Sequence, residues 1–322
     1  MASPKQQAQI LIVGCGDLGS ILAANLAAQG HTVRGLRRSA IPMPRGVLGL
    51  RGDVTKPETL TALPTLKPDF LVYCVAAGEQ SDENYRAIYV EGLRNVLAAL
   101  APANSLKHVF FVSSTRVYGQ KTGDVLNESV PAQPSDFGGI RLLEAEGLLK
   151  DLPCPGTALR LSGIYAAGRT RMVELAKTPQ NWPKQNVWTN RIHRDDAASF
   201  IAFLIARILE NNPDHEPIDD CYIVTDSRPT PQWKVLMWLA KRQKVDVSKL
   251  VEPPVAGGKR LSNFRMRTLE FKLQYEDYRV GYETLLHGDP LEPLVAFKPV
   301  NTTTQKPAIN PFQAPSNPFK KF

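Results

Sequence analysis

The densest chemistry in the chain is a short glycine run. Gly14-Cys15-Gly16-Asp17-Leu18-Gly19 follows four apolar residues, 10–13, and opens an Ala-rich stretch, 18–29, that Gly30 closes. A strand feeding a glycine turn that opens a helix is a cradle for the pyrophosphate of a dinucleotide. Gly14 permits the tight turn, Gly16 lets the backbone approach the phosphates, and Gly19 lets the helix pack on the strand. The helix start at Asp17 and Leu18 adds free N–H groups and partial positive charge.

The next informative position is the end of the second strand. An acid there would accept a hydrogen bond from the 2′-hydroxyl of NAD. The chain has Arg37 and Arg38 instead. Two cations suit a 2′-phosphate, because a guanidinium binds two oxygens at once. NADP(H) is therefore the expected cofactor, with NAD(H) as the alternative. Asp53 and Val54, after the third strand, are placed to meet the adenine; capping of a following helix is the competing role for Asp53. Ala76 and Ala77 end the fourth strand with small side chains, which leaves room for a cofactor to cross the sheet edge.

These groups need a scaffold, and the hydrophobic pattern supplies one. Apolar strands at 10–13, 31–36, 47–50, 69–77, 108–114 and 157–165 alternate with helical stretches at 18–29, 56–63, 83–100 and 136–150. Continuous apolar strands mean a parallel sheet covered on both faces. Right-handed connections then give an α/β, doubly wound, Rossmann-type sheet. The expected organisation is a dinucleotide-binding domain at 8–165 and a small mixed α/β substrate lobe at 166–290. A disordered Pro-rich tail is expected at 291–322. The tail repeats Asn-Pro-Phe at 310–312 and 317–319.

Composition narrows the class further. The 322 residues are 43% hydrophobic and 22% charged, ordinary for a soluble globular protein. No apolar stretch approaches the roughly 18 residues of a membrane span, and no signal-peptide core is present. A cytoplasmic protein without membrane association is expected. Cys15, Cys74, Cys154 and Cys221 are widely spaced, which predicts reduced thiols and no metal site. The net charge is +8, of which four lysines and no acid in residues 296–322 supply half. No basic stripe interleaved with aromatics exists, so nucleic acid is not an expected partner.

Several segments in order resemble the extended short-chain dehydrogenase/reductases, in their NAD-dependent epimerase/dehydratase branch. The resemblance spans about residues 8–290. It rests on Tyr89-Val90-Glu91-Gly92-Leu93-Arg94-Asn95-Val96-Leu97 and Phe111-Val112-Ser113-Ser114-Thr115-Arg116-Val117-Tyr118-Gly119. Glu128, Pro131 and Pro134 add to it. So do Arg160-Leu161-Ser162-Gly163-Ile164-Tyr165 and Asn190-Arg191-Ile192-His193-Arg194-Asp195-Asp196. The resemblance implies that Ser114 positions a carbonyl or alcohol, and that homodimers form through 83–100 and 136–150.

Two departures from the family pattern bear on function. The family's Tyr-x-x-x-Lys should fall near residue 140, yet one alignment puts Phe137 and Arg141 there and the other Gly138 and Leu142. None of these supplies a phenol or an ammonium. An arginine that holds the diphosphate of nucleotide sugars is replaced by Thr189, with Arg191 the nearest cation. Three readings follow. One is an NADP(H)-dependent oxidoreductase on an unidentified small carbonyl or alcohol, with Tyr118, Tyr165 or His193 as substitute proton donor. Ser114, Tyr165 and His193 are then the candidate catalytic residues. The others are a non-catalytic NADP(H)-binding sensor and a nucleotide-sugar epimerase or dehydratase.

Overall fold

The computed structural model describes residues 6–120 and 122–287. The expected tail and its Asn-Pro-Phe repeats lie outside the described residues. The centre is a seven-stranded, wholly parallel sheet. Its strands are β1 (Gln9–Val13), β2 (Thr32–Arg37), β3 (Val47–Arg51), β4 (Phe70–Tyr73), β5 (His108–Ser114), β6 (Gly156–Leu161) and β7 (Cys221–Val224). The spatial order is 3-2-1-4-5-6-7, so the winding direction reverses between β1 and β4. In such sheets the crevice outside the strands' carboxyl ends at the reversal is the binding place.

The helices cover both faces because the strands are apolar on both faces. Helix α1 (Asp17–Ala28) and the helix Arg194–Glu210 bury Leu22, Leu26, Phe200 and Leu204 against Ile10, Ile12 and Val72. On the other face, Leu93, Val96 and Leu142 pack on Leu11, Leu71 and Phe111. The 83–100 helix runs unbroken from Asp82 to Leu100 but relaxes to a π turn over Arg86–Glu91. The Tyr73 hydroxyl donates to the Ile88 carbonyl at 2.5 Å and would lie 2.5 Å from a Cβ on Gly92. A side chain inserted into the hydrogen-bond ladder is a recognised cause of such a widening.

Three expectations are corrected. The helix read over 56–63 is instead two single turns, Pro57–Thr59 and Leu63–Thr65. Pro64, without an N–H, would break a helix continued through it. The strand read over 157–165 leaves the sheet after Leu161, and Gly163–Tyr165 pairs with Arg191–His193. Third, Cys221–Val224, inside the 166–290 stretch expected as the lobe, belongs to the main sheet. It hydrogen-bonds to β6 and completes the main sheet, with both flanks of Tyr222 and Ile223 buried. The lobe is thus built from a three-stranded patch around Asn186–Thr189 and the helices Arg171–Ala176, Gln232–Arg242 and Tyr278–His287. Trp182, Trp233, Leu236 and Tyr282 form its core. Among the described residues, no helix is long and apolar enough to cross a membrane.

Candidate functional site

The glycine loop lies at the sheet's reversal point. Gly14 has φ +93°, and a Cβ there would sit 2.4 Å from the Cys74 carbonyl oxygen. A Cβ on Gly19 would meet the Gly14 carbonyl oxygen at 2.4 Å. Both glycines are therefore required by the fold itself. Gly16 differs: a Cβ there would meet nothing within 4 Å. Its space is open, as a loop that receives a ligand against its backbone requires. The N–H of Gly16 is turned back on the Gly14 carbonyl at 2.8 Å, which tightens the loop.

A cavity of about 530 Å³ runs from this loop. Gly14, Gly16, Asp17 and Leu18 line one wall, and Arg37, Arg38, Gly52 and Val54 line the end of β2 and β3. Cys74 forms the floor beside Gly14, and Ala76, Val112 and Ile164 line the far end. The glycine cradle, the open space at Gly16 and the cations at one end fit an elongated dinucleotide.

The two arginines play different parts. Arg37 is half-buried, donating from Nη1 to the Cys15 carbonyl at 3.2 Å and from Nη2 to the carbonyls of Pro42 (2.8 Å) and Ile41. It staples the loop after β2 onto the glycine turn. Arg38 is exposed and faces the cavity. Asp53 spends Oδ1 on the backbone N–H and hydroxyl of Thr55 at 3.0 and 2.8 Å. That is the local turn role, and the cavity wall is formed by its neighbours Gly52 and Val54. Ala76 lines the cavity; Ala77 turns its N–H to the Tyr89 hydroxyl at 3.3 Å.

Of the three candidate catalytic residues, Tyr165 and His193 are packed ring against ring, whereas Ser114 ends a different strand. Ser114 ends β5, and its Oγ accepts from the Arg116 N–H at 3.2 Å. Tyr165 is carried into the lobe core, 4.5 Å from the Tyr282 ring and 5.2 Å from the His193 ring. Burial pushes its phenol far up, and its hydroxyl has no hydrogen-bond partner among the described residues. His193 is 3% exposed, caps the helix Arg194–Glu210 by accepting from the Asp195 N–H, and packs at a tilt 3.7 Å from the Tyr275 ring. Burial lowers its imidazole to about 4. Both groups are therefore placed to hold the lobe, not to exchange protons with a ligand. Tyr118, the third donor considered, is fully buried and accepts from Arg160 at 2.6 Å.

The ground near residue 140 holds a different cluster. Phe137 packs edge-on to Tyr85 at 5.4 Å. Arg141 grips Asp82 with two 2.7 Å hydrogen bonds and Glu144 at 2.8 Å, which ties two helices together. Gly138 makes room for Arg116, whose guanidinium carbon lies 2.4 Å from where a Cβ would be. That guanidinium donates to Asp136 (2.8 Å), Gln80 (2.9 Å) and the Tyr85 hydroxyl (2.8 Å). Tyr85 packs at a tilt on Tyr89, whose hydroxyl accepts from the N–H of Ala77, the neighbour of the cavity-lining Ala76. Lys259 arrives from distant sequence and donates to the carbonyls of Thr115 (2.7 Å) and Tyr118, fixing the turn after Ser114. Burial lowers its ammonium to about 8. Reading the sequence missed Arg116, Tyr85 and Lys259. Gly138-Gly139 was the one available signal, two small residues at a helix start where a large neighbour needs space.

The fold and the site define a class: a Rossmann-type protein of the extended short-chain dehydrogenase/reductase kind. The sequence profile of the NAD dependent epimerase/dehydratase family matches residues 10–216, and the chain belongs to that family. A solved structure from Methylobacillus flagellatus, assigned to the NAD-dependent epimerase/dehydratases, is 51% identical with a TM-score of 0.80. The match covers 88% of this chain and 99% of that one. Protein YeeZ of Escherichia coli (strain K12) is 30% identical over 210 residues, 61% of this chain and 73% of that protein. The Bordetella bronchiseptica enzyme WbmG, solved with NAD, shares the fold at 19% identity and TM-score 0.71, over 89% of this chain and 95% of its own.

Proposed function

We propose that the protein is a nicotinamide-dinucleotide-dependent oxidoreductase that prefers NADP(H) and acts on a small carbonyl or alcohol. The observation that carries the reading is the cavity itself. Its lining runs from the glycine cradle and the exposed Arg38 to Ala76 and Val112, and the neighbouring Ala77 donates to the hydroxyl of Tyr89, whose ring packs on Tyr85. WbmG, of the same fold, has been solved with NAD, which supports a nicotinamide dinucleotide here.

The cofactor, when bound, supplies or accepts the hydride, which is the hard part of the chemistry. The chain's own residues then have two tasks. Ser114 orients the substrate oxygen at the end of β5. Tyr85 gives or takes one proton at that oxygen. The Arg116 guanidinium on its phenolic oxygen is arranged to stabilise the charge left when the proton departs. Asp136 and Gln80 hold Arg116 in that position. The nucleotide-sugar reading lacks a free cation at Arg191. Arg191 is buried, donates to the Thr189 hydroxyl at 2.5 Å and lies over the Tyr278 ring, so its charge does not reach a ligand.

The test is NADPH oxidation over a broad panel of small aldehydes and ketones, by the full-length wild-type protein and by S114A. Turnover of at least one substrate, largely lost in S114A, is expected. NADPH binding without oxidation of any panel member would favour the sensor reading instead.

A further inference from the structure

Asp17 poses an electrostatic problem. As the first residue of α1 it suits the helix dipole, but it also stands in the loop that would receive a pyrophosphate. A carboxylate beside a pyrophosphate repels it unless the charge is compensated. The fold compensates it twice: Arg169 Nε donates to Oδ2 at 2.6 Å and Arg194 Nη1 donates to Oδ1 at 2.8 Å. Burial alone would raise the Asp17 carboxyl; the two guanidinium partners outweigh that and hold it below the usual carboxylate range.

The two arginines are not equivalent. Arg194 starts a buried helix, has a side chain 16% exposed and spends Nε on Asp195 at 3.0 Å. Arg169 has a side chain 45% exposed and lines the same cavity as Gly14, Gly16 and Leu18. Among the described residues its hydrogen-bonded side-chain nitrogen is Nε alone. It sits on a tight turn, its N–H donating to the Ala166 carbonyl at 2.9 Å just after Gly168 with φ +82°. That turn follows the strand whose Ile164 lines the cavity's far end.

We propose that Arg169 binds the pyrophosphate of the dinucleotide and that Asp17 is its positioning residue. This rests on the cofactor reading above. With Nε fixed by Asp17, the two Nη groups remain to engage phosphate oxygens in the planar geometry that guanidinium favours. Asp17 and Asp195 together balance Arg169 and Arg194, so the acidic loop residue is neutralised and the remaining Nη groups of Arg169 are what the site offers an anion.

Calorimetric titration of the full-length protein tests this with four ligands: NADPH, NADH, ADP-ribose and adenosine 2′-phosphate. The first three carry a pyrophosphate and the last does not. R169A is expected to weaken the first three by about tenfold or more, as loss of a charge-assisted contact does, and to leave the last within about twofold. R169K should recover part of the loss, and D17N should show the same pattern more weakly. R169A binding all four ligands like wild type, with only a lower melting temperature, would make the contact a structural tie and overturn the proposal. So would equal weakening of all four. A wild-type protein that binds none of the four overturns the cofactor reading itself.

Discussion

A Cβ on Gly14 would lie 2.4 Å from the carbonyl oxygen of Cys74, so the glycine turn and the end of β4 meet backbone to backbone. This contact forms the floor of the cavity at the point where the sheet reverses direction. It also separates the glycines into those the fold needs and one the ligand needs.

Gly14→Ala combines a positive φ with a backbone clash. A loss of at least about 2 kcal/mol is expected, read as a lower urea midpoint. Gly16→Ala meets open space and should melt within about 2 °C of wild type. It should nevertheless bind NADPH far more weakly, because its methyl occupies the approach to the loop. A stable G16A with unchanged affinity would remove Gly16 from the binding site.

Arg38 and Arg37 should separate in the same way. Arg38→Ala is expected to weaken NADPH by about tenfold and leave NADH unchanged, since only the former has a 2′-phosphate. Arg37→Ala frees the loop that it staples through Cys15, Pro42 and Ile41, so both cofactors should weaken together. Equal effects of R38A on both cofactors would contradict the role of Arg38.

Tyr85→Phe removes one oxygen and keeps the ring contacts to Tyr89 and Phe137. Turnover should fall by about 10² or more, the usual scale for loss of a general acid, with KM and melting temperature little changed. Turnover within about twofold of wild type would remove Tyr85 from the chemistry.

The pH dependence of stability should report His193. Its imidazole is held neutral by burial down to about pH 4, whereas the unfolded chain protonates near 6.5. At this site the unfolded state therefore binds more protons between these values, so the His193 contribution destabilises as pH drops from 6.5 towards 4, against Asp196 and Asp226, whose carboxyls burial raises to about 6 and about 7 and which act the other way. The full contribution is on the order of 3 kcal/mol. His193→Asn keeps a capping oxygen for the Asp195 N–H and removes the titration. In urea unfolding from pH 7 to pH 4.5, H193N should gain stability relative to wild type as pH falls; parallel profiles would refute the assignment.

How much of this was legible in the sequence follows from the range of each interaction. The β1–loop–α1 unit was legible because Gly14, Gly16 and Gly19 act within a few residues of one another. The alternating apolar strands likewise announced a covered parallel sheet. Arg38 was legible from its place at a strand end, but the different engagement of Arg37 depends on the fold of the loop at 37–42. Tyr165 misled because it continues the apolar run of β6. Its pairing with Arg191–His193, decided by a partner strand nearly thirty residues away, carries it out of the cleft. The replacement cluster was illegible for the same reason: Tyr85, Arg116, Asp136 and Lys259 meet only through tertiary packing.

As proposed, the glycine-loop cavity binds a nicotinamide dinucleotide and prefers the phosphorylated form. Thermal melting of the wild-type protein with NADPH, NADP, NADH and NAD tests it most directly. A ligand at ~100 times its dissociation constant adds about 2.7 kcal/mol of stability. A clear rise in melting temperature is expected with NADPH and NADP, and a smaller one, at equal concentration, with NADH and NAD. No rise with any of the four would contradict it.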